Sequence, residues 1–145
     1  MNRGVIIGAM VMIALAVTVI TSAQLTSKTP SNRITEDNIH IYKDKVIIDV
    51  EGASWSQYAD TDSMIPILDK GANGIEIIPK SQDDLFIGDI VAYESEQGLI
   101  IHRIVGIEEK DGIKYFELKG DNNSKSDPEK VTFEKIKYVT IMLVY

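Results

Sequence analysis

The sequence predicts a mainly β domain that follows an apolar segment at the N-terminus. From Lys45 onward the chain consists of short apolar or alternating runs separated by turn residues, and no run has a sustained 3.6-residue period. Between Arg3 and Lys28 there is no charged residue, whereas all 22 acids lie at or beyond Glu36. This division predicts an N-terminal membrane anchor over residues 1–25, a polar tether over 26–39 and a β domain over 40–145.

Composition excludes several classes of function. The 145 residues leave room for one domain, and the net charge of −7 argues against a nucleic-acid partner, which requires a basic surface. The absence of cysteine excludes disulfides, thiolate zinc sites, iron–sulfur clusters and a cysteine nucleophile, and two histidines are too few for a histidine-rich metal cage. We therefore predict no metal and no cofactor.

The anchor is predicted from Gly4–Ala23, twenty residues without a charge. As a helix this run reaches roughly 30 Å, which matches the hydrocarbon core of a bilayer, and it has no polar stripe that would favour a surface position. A cleavable signal peptide is the alternative, because Thr21-Ser22-Ala23 offers small residues for cleavage, but the apolar run exceeds the usual length of about 7–15 residues. Positive charges on the two flanks are equal in number and do not decide the orientation.

The domain contains about seven predicted strands, which suits a small barrel-like or two-sheet architecture. Asp111-Gly112 lies between two of the runs and indicates a tight hairpin, because Gly tolerates a positive φ. Trp55–Asp60 has room for one helical turn at most. The predicted strands are Val46–Val50, Gly74–Pro79, Asp89–Glu94, Leu99–Ile107, Lys114–Lys119, Val131–Phe133 and Ile136–Tyr145.

Two predicted loops carry hydroxyl and carboxylate groups. Ser63 follows Asp60-Thr61-Asp62 and opens an apolar run, and Gly120–Pro128 (GDNNSKSDP) directly follows a strand. Taken alone, each segment is an ordinary loop rich in turn residues.

The strand Leu99–Ile107 carries two unusual neighbours. His102 shares a face with Ile100 and Ile104, so taken alone it is more often a core residue than a catalyst. Arg103 points to the opposite face and requires a paired acid, which the sequence does not identify.

Together these residues supply the groups of a serine hydrolase. A Ser hydroxyl becomes a nucleophile when a neighbouring base takes its proton, His does this near pH 7, and a carboxylate fixes the tautomer of the His. The order of the three groups along the chain is free, because geometry alone decides the chemistry.

Four segments resemble the sequence boxes of signal peptidase I in the order of that family, and they span about Ser63 to Asp127. They are Ser63-Met64-Ile65-Pro66, Gly88-Asp89-Ile90-Val91, Ile101-His102-Arg103-Ile104-Val105 and Lys119-Gly120-Asp121-Asn122-Asn123 with Asp127. Bacterial members place a general-base Lys before the Arg, whereas archaeal and endoplasmic-reticulum members place His there. The chain is therefore similar to the latter branch, and its fold is expected to be the small signal-peptidase/LexA-like β domain.

The resemblance implies roles for six residues. Ser63 matches the nucleophile, His102 the general base and Asp127 the acid of the triad, while Asp121 matches a second acid important in this branch. Thr61 and Met64 match positions that form the oxyanion hole or position the substrate.

The implied activity is that of a membrane-bound serine endopeptidase that removes N-terminal signal peptides from preproteins. The implied partners are these signal peptides, the lipid bilayer and the protein-translocation channel. The implied location is the cell membrane, with a single span and the catalytic domain on the extracytoplasmic side.

Two departures from the family pattern leave alternatives open. The family usually has Gly before the nucleophile, whereas this chain has Asp62, whose carboxylate would oppose a developing oxyanion if it pointed inward. Gly71–Gly74 (GANG) also lies outside the pattern and is expected to lengthen a loop. A catalytically silent membrane-anchored β module is therefore the alternative function. A self-cleaving regulator of the LexA type is disfavoured, because it uses a Ser-Lys pair and carries a DNA-binding domain.

Overall fold

A computed structural model describes residues 30–145 of the chain, and the predicted anchor over residues 1–25 lies outside them. The described part is mainly β, as predicted, with three short 3-10 turns at 36–38, 82–84 and 133–135. The strands are β1 (Ile39–Ile41), β2 (Val46–Ile48), β3 (Ser54–Gln57), β4 (Asn73–Ile77), β5 (Ile90–Ser95), β6 (Gly98–Lys110), β7 (Ile113–Lys119), β8 (Val131–Thr132) and β9 (Ile136–Val144).

The strands form two antiparallel sheets. Among the strands of residues 30–145, β1 and β2 pair only with each other, and the other seven form one sheet in the order β3-β4-β9-β5-β6-β7-β8. The last strand of the chain, β9, pairs with β4 on one side and with β5 on the other. Consequently β9 joins the first part of the domain to the hairpins that carry His102.

All seven predicted strands overlap an observed strand, but two strands were not predicted. Trp55–Asp60, which had room for one helical turn at most, contains no helical turn, because Ser54–Gln57 forms β3 and Trp55 pairs with Ile75 of β4. Backbone pairing with a distant strand outweighs the local preference of this short segment. The predicted hairpin at Asp111-Gly112 is present, with φ angles of 54° and 77° at the two turn residues.

The apolar side chains form two buried clusters. The larger cluster lies against the central strands and includes the fully buried residues Val91, Ile104 and Phe116. The smaller cluster lies beneath the loop that carries Ser63 and is formed by Tyr58, Met64, Leu68, Ala72 and Ile90. Burying one large apolar side chain contributes about 1.5–3 kcal/mol, so the smaller cluster gives the Ser63 loop a fixed base.

Part of the predicted tether binds the β domain. Arg33 Nη2 lies 2.8 Å from Oδ2 of Asp89, whose residue is only 2% exposed, and the backbone N–H of Ser31 donates to Oδ1 at 3.0 Å. The N–H of Phe86 donates to Oδ2 at 3.1 Å, and the Ser31 hydroxyl donates to Oδ1 at 3.5 Å. Since a buried carboxylate is costly without such partners, these bonds fix the path of the chain into the domain.

Within residues 30–145 no helix has the length and apolar content needed to cross a membrane.

We predict that Gly74→Ala lowers the free energy of unfolding by about 1–3 kcal/mol. A Cβ at this position would lie 1.8 Å from Oη of Tyr58, so the buried phenol would have to move. Chemical denaturation of the wild type and the variant measures the loss. Gly106→Ala is the matched control, because there the nearest atom is the end of the Glu117 side chain at 3.1 Å. A loss no larger than that of the control would contradict the prediction.

Candidate active site

Ser63 lies in the loop between β3 and β4, directly after a residue with left-handed backbone. Asp62 has a φ of 58°, and its carbonyl accepts hydrogen bonds from the N–H of Ile65 at 3.3 Å and from Nδ2 of Asn122 at 3.0 Å. Gly adopts this backbone most easily, and Asp and Asn tolerate it better than other residues. The left-handed backbone at this position is therefore one that Asp can adopt.

A second loop holds the nucleophile candidate from the other side. The carbonyl of Ser63 accepts a hydrogen bond from the N–H of Asn122 at 2.9 Å. A Cβ at Gly120 would lie only 2.6 Å from the same carbonyl, so this close approach requires a Gly. The loop after β7 thus sets the backbone position of Ser63.

The side chain of His102 is paired with a carboxylate inside the protein. Its Nδ1 lies 2.7 Å from Oδ2 of Asp127, and the two side chains are only 8% and 12% exposed. The hydroxyl of Tyr93 donates to the same oxygen at 2.8 Å. Because Nδ1 is engaged by the carboxylate, Nε2 is the ring nitrogen that remains to exchange a proton.

Asp121 does not contact His102. Its two carboxylate oxygens accept hydrogen bonds from Nε and Nη2 of Arg103 at 2.7 and 2.6 Å. Arg103 also donates from Nη1 to the carbonyl of Gly88 at 2.7 Å, and the N–H of Asp121 contacts Sδ of Met64 at 3.4 Å. Asp121 therefore attaches its loop to β6 through Arg103. The same loop binds the backbone of Ser63, so Asp121 helps to fix the position of Ser63.

Ser63 and His102 line one cavity of about 310 Å³. The Ser63 hydroxyl lies 3.2 Å from Oγ1 of Thr61, and among the described residues it makes no hydrogen bond to His102. Catalytic hydrogen bonds are often long or poorly aligned before substrate binds, so this geometry does not exclude the pair as catalytic groups. The other lining residues include Tyr58, Ala59, Thr61, Met64, Leu68 and Ile101.

The structure thus places the six candidate residues in three settings. Ser63, Thr61 and His102 line the cavity of about 310 Å³. Asp127, which binds His102, lines a second cavity of about 420 Å³, and His102 lies in the walls of both. Asp121 lies on Arg103. Met64 is 2% exposed, so it belongs mainly to the smaller apolar cluster while forming part of the cavity wall.

Sequence reasoning missed Tyr93 and the partner of Arg103. The register of β5 and β6 places Val91 opposite His102, and Tyr93 is two residues along the same strand face. Diagonal neighbours of this kind lie within reach of a long side chain, so a correct strand register would have indicated Tyr93. No comparable signal exists for the Arg103–Asp121 pair, because Asp121 lies in a loop.

Three carboxylates near Ser63 lie close together. Oxygens of Asp60, Asp62 and Asp69 lie within 4.8 Å of one another, and Nζ of Lys70 lies 3.2 Å from Asp60. Exposed acidic groups of this kind are common without a metal, and we assign no cation to them. Both Asp60 and Asp62 are exposed, so the Asp62 carboxylate belongs to this surface group.

Comparisons with protein-family models, with curated proteins and with solved structures find no match for this chain. The function of the site is therefore argued from its own residues.

We predict that Arg103→Met lowers the free energy of unfolding by about 2–4 kcal/mol, because it leaves the largely buried Asp121 carboxylate without its partner. Denaturant titration measures the change. Lys137→Met provides the control, because it removes the cation of an exposed pair with Glu94, and such pairs contribute about 0–1 kcal/mol. Equal losses in the two variants would refute the structural role of Arg103.

Stability should fall as the pH rises above about 10. Burial raises the pKa of Tyr58, and burial together with the Asp127 carboxylate raises the pKa of Tyr93 well above its ordinary value of 10.0. Above this value the unfolded chain releases the two phenolic protons more readily than the folded protein does. The unfolded state is therefore stabilised relative to the folded state, and the free energy of unfolding falls. The expected slope is at most about 1.4 kcal/mol per pH unit for each group.

Unfolding at pH 9 and at pH 11 checks this dependence. The variant with both Tyr58→Phe and Tyr93→Phe should lose less stability over this interval than the wild type. Tyr145→Phe removes a phenol that is 80% exposed and should leave the dependence unchanged. An identical pH dependence in all three proteins would count against the two buried phenols as its source.

Proposed function

We propose that this chain is a membrane-bound serine endopeptidase of the signal peptidase I type, with the His chemistry of the archaeal and endoplasmic-reticulum branch. The observation that carries the proposal is the His102–Asp127 pair at 2.7 Å, in the wall of a cavity that also contains Ser63. A Ser, a His and an Asp are the groups that the sequence boxes imply for hydrolysis, and their positions support the proposal. The small signal-peptidase-like β domain is the fold that accompanies it.

In the proposed acylation, Ser63 attacks the carbonyl carbon of the last residue of the signal peptide. The Ser63 proton passes to Nε2 of His102, and the Asp127 carboxylate stabilises the resulting imidazolium. The bond to the leaving amine then breaks as His102 returns the proton to that nitrogen. A water molecule, activated by the same nitrogen, releases the acyl group and restores Ser63.

The developing oxyanion requires hydrogen-bond donors beside Ser63. Among the described residues, the backbone N–H of Ser63 is engaged by no acceptor, so it can donate to the oxyanion. The Thr61 hydroxyl, 3.2 Å from the Ser63 hydroxyl, is the second donor in this proposal. The carboxylate of Asp62 belongs to the exposed acidic group with Asp60 and Asp69. In this proposal it takes no part in binding the oxyanion.

The cavity gives the proposed substrate its chemical character. Its wall is mainly apolar, and Tyr58, Met64 and Leu68 belong to the buried cluster beneath the loop. A cavity of this kind suits small uncharged side chains, which the family recognises at positions −1 and −3 of the signal peptide. Met64 contributes to it as a wall residue.

The membrane anchor completes the proposal. Residues 1–25 would hold the domain beside membrane-bound preproteins as they leave the translocation channel, on the extracytoplasmic side. Tethering of this kind raises the effective concentration of enzyme and substrate without any new contact.

We expect the full-length chain in liposomes to cleave a model preprotein at the signal junction. Ser63→Ala, His102→Ala and Asp127→Ala should each lower the rate by about 10⁴-fold or more, because triad members act as a unit. His40→Ala is the matched control, because His40 lies 3.0 Å from Asp49 in an exposed pair distant in sequence from the candidate site. Gel analysis and the mass of the mature product measure cleavage.

A catalytically silent anchored module remains the second candidate, favoured by Asp62 beside Ser63 and by the bond of the Ser63 hydroxyl to Thr61. An inert wild type would overturn the proposal as stated. Recovery of cleavage by Asp62→Gly would then indicate a silenced peptidase, whereas continued inactivity would support a binding module.

A further inference from the structure

Tyr93 is a buried phenol whose hydroxyl the proposed mechanism leaves without a role. It lies on β5, a strand paired on both sides, and the residue is only 6% exposed. Its hydroxyl donates to Oδ2 of Asp127 at 2.8 Å, and its ring centroid lies 6.5 Å from that of His102. The phenol therefore contacts the carboxylate that orients the general base.

One oxygen of Asp127 carries all the side-chain hydrogen bonds found for this residue. His102 Nδ1 and the Tyr93 hydroxyl both bind Oδ2, at 2.7 and 2.8 Å. The backbone of Asp127 is held by a bond from its N–H to the carbonyl of Leu118 at 2.8 Å. Among residues 30–145, two side-chain donors restrain rotation of the carboxyl group, His102 and Tyr93. Of these, Tyr93 is the donor that does not itself react.

We propose that Tyr93 is a positioning residue of the active site, which holds the Asp127 carboxylate toward His102 and tunes the basicity of the imidazole. This inference rests on the proposed function for its catalytic consequence. The effect on the imidazole itself depends only on the geometry of the three side chains.

The Tyr93 hydroxyl should lower the proton affinity of His102. A donor on Oδ2 stabilises the carboxylate charge and weakens its attraction for the imidazolium, since the two donors share one acceptor atom. When that donor is removed, the imidazole is the remaining side-chain partner of Oδ2, and the carboxylate attracts the imidazolium more strongly. The raised pKa of Tyr93, caused by burial and by Asp127, keeps the phenol protonated and able to donate throughout the neutral range.

The other charged and titratable groups around the imidazole make no hydrogen bond to Tyr93 among the described residues. Arg103 is directed to the opposite face, where it binds Asp121. The remaining titratable residues that line the two cavities shared by His102 are Tyr58, Glu94, Glu96, Glu129 and Lys135. A shift that follows the loss of the phenol hydroxyl can therefore be assigned to the contact with Asp127.

The test is an NMR pH titration of the imidazole signals in full-length wild type and in Tyr93→Phe, which keeps the ring. The chain contains two histidines, so His102 and His40 are assigned by one additional variant, His40→Gln. We expect the His102 midpoint to rise by roughly 0.5 pH unit or more in Tyr93→Phe. The exposed His40, paired with Asp49, should keep its midpoint and serves as an internal control.

Tyr138→Phe is the matched control variant, because Tyr138 lies on the neighbouring strand β9 and, within residues 30–145, makes no side-chain hydrogen bond. An unchanged His102 midpoint in Tyr93→Phe, or equal shifts in both variants, would overturn the inference. This readout requires no peptidase activity, so it separates failure of the inference from failure of the proposed function.

Cleavage kinetics give the second readout. For Tyr93→Phe we expect kcat to fall roughly three- to tenfold with KM within about twofold of the wild type, and the acid limb of the pH profile to move upward with the His102 midpoint. A fall in kcat with an unmoved acid limb would show a merely structural effect and would contradict the tuning role.

Discussion

The candidate site depends on one constraint, the alternation of side chains along β6. His102 and Arg103 are successive residues, so they point to opposite faces of the sheet. A single loop supplies an acid to each of them, Asp121 to Arg103 and Asp127 to His102. Between these two attachments, the N–H of Asn122 binds the carbonyl of Ser63. The position of the nucleophile candidate and that of the base candidate are therefore set by the same loop.

The residues that fix the backbone around the site differ from those that line the cavity. The Arg103–Asp121 pair is bidentate and also engages the carbonyl of Gly88, so it fixes backbone without approaching the cavity. Asp89, next to Gly88, binds Arg33 and thereby attaches the segment before the domain to the same part of the sheet. Paired strands and hydrogen-bonded loops thus surround the cavity that Ser63 and His102 line.

Much of the fold was predictable because alternating apolar runs directly encode half-buried strands. The two missed strands give only a weak signal. Ile39–Ile41 alternates over just three residues and is exposed at each of them, and Ser54–Gln57 contains one apolar residue and pairs at the edge of the sheet. Ser63 and His102 were singled out by residue type and by the resemblance to the signal peptidase I boxes, and Asp127 by that resemblance alone. Tyr93 was not, because its role depends on a strand register that local sequence does not specify.

The sequence by itself determined the β character, the opposite directions of His102 and Arg103, and the candidates for acid, base and nucleophile. The first two follow from local periodicity, and the candidates follow from the resemblance of four segments to the signal peptidase I boxes. Only the tertiary structure decided that Asp121 serves Arg103, that Tyr93 shares Oδ2 of Asp127, and that Asp62 adopts a left-handed backbone. The first two contacts join residues that lie far apart in the sequence, on separate strands and loops. The third depends on a loop conformation that packing imposes. Local sequence specifies neither, because both arise only when the strands have assembled.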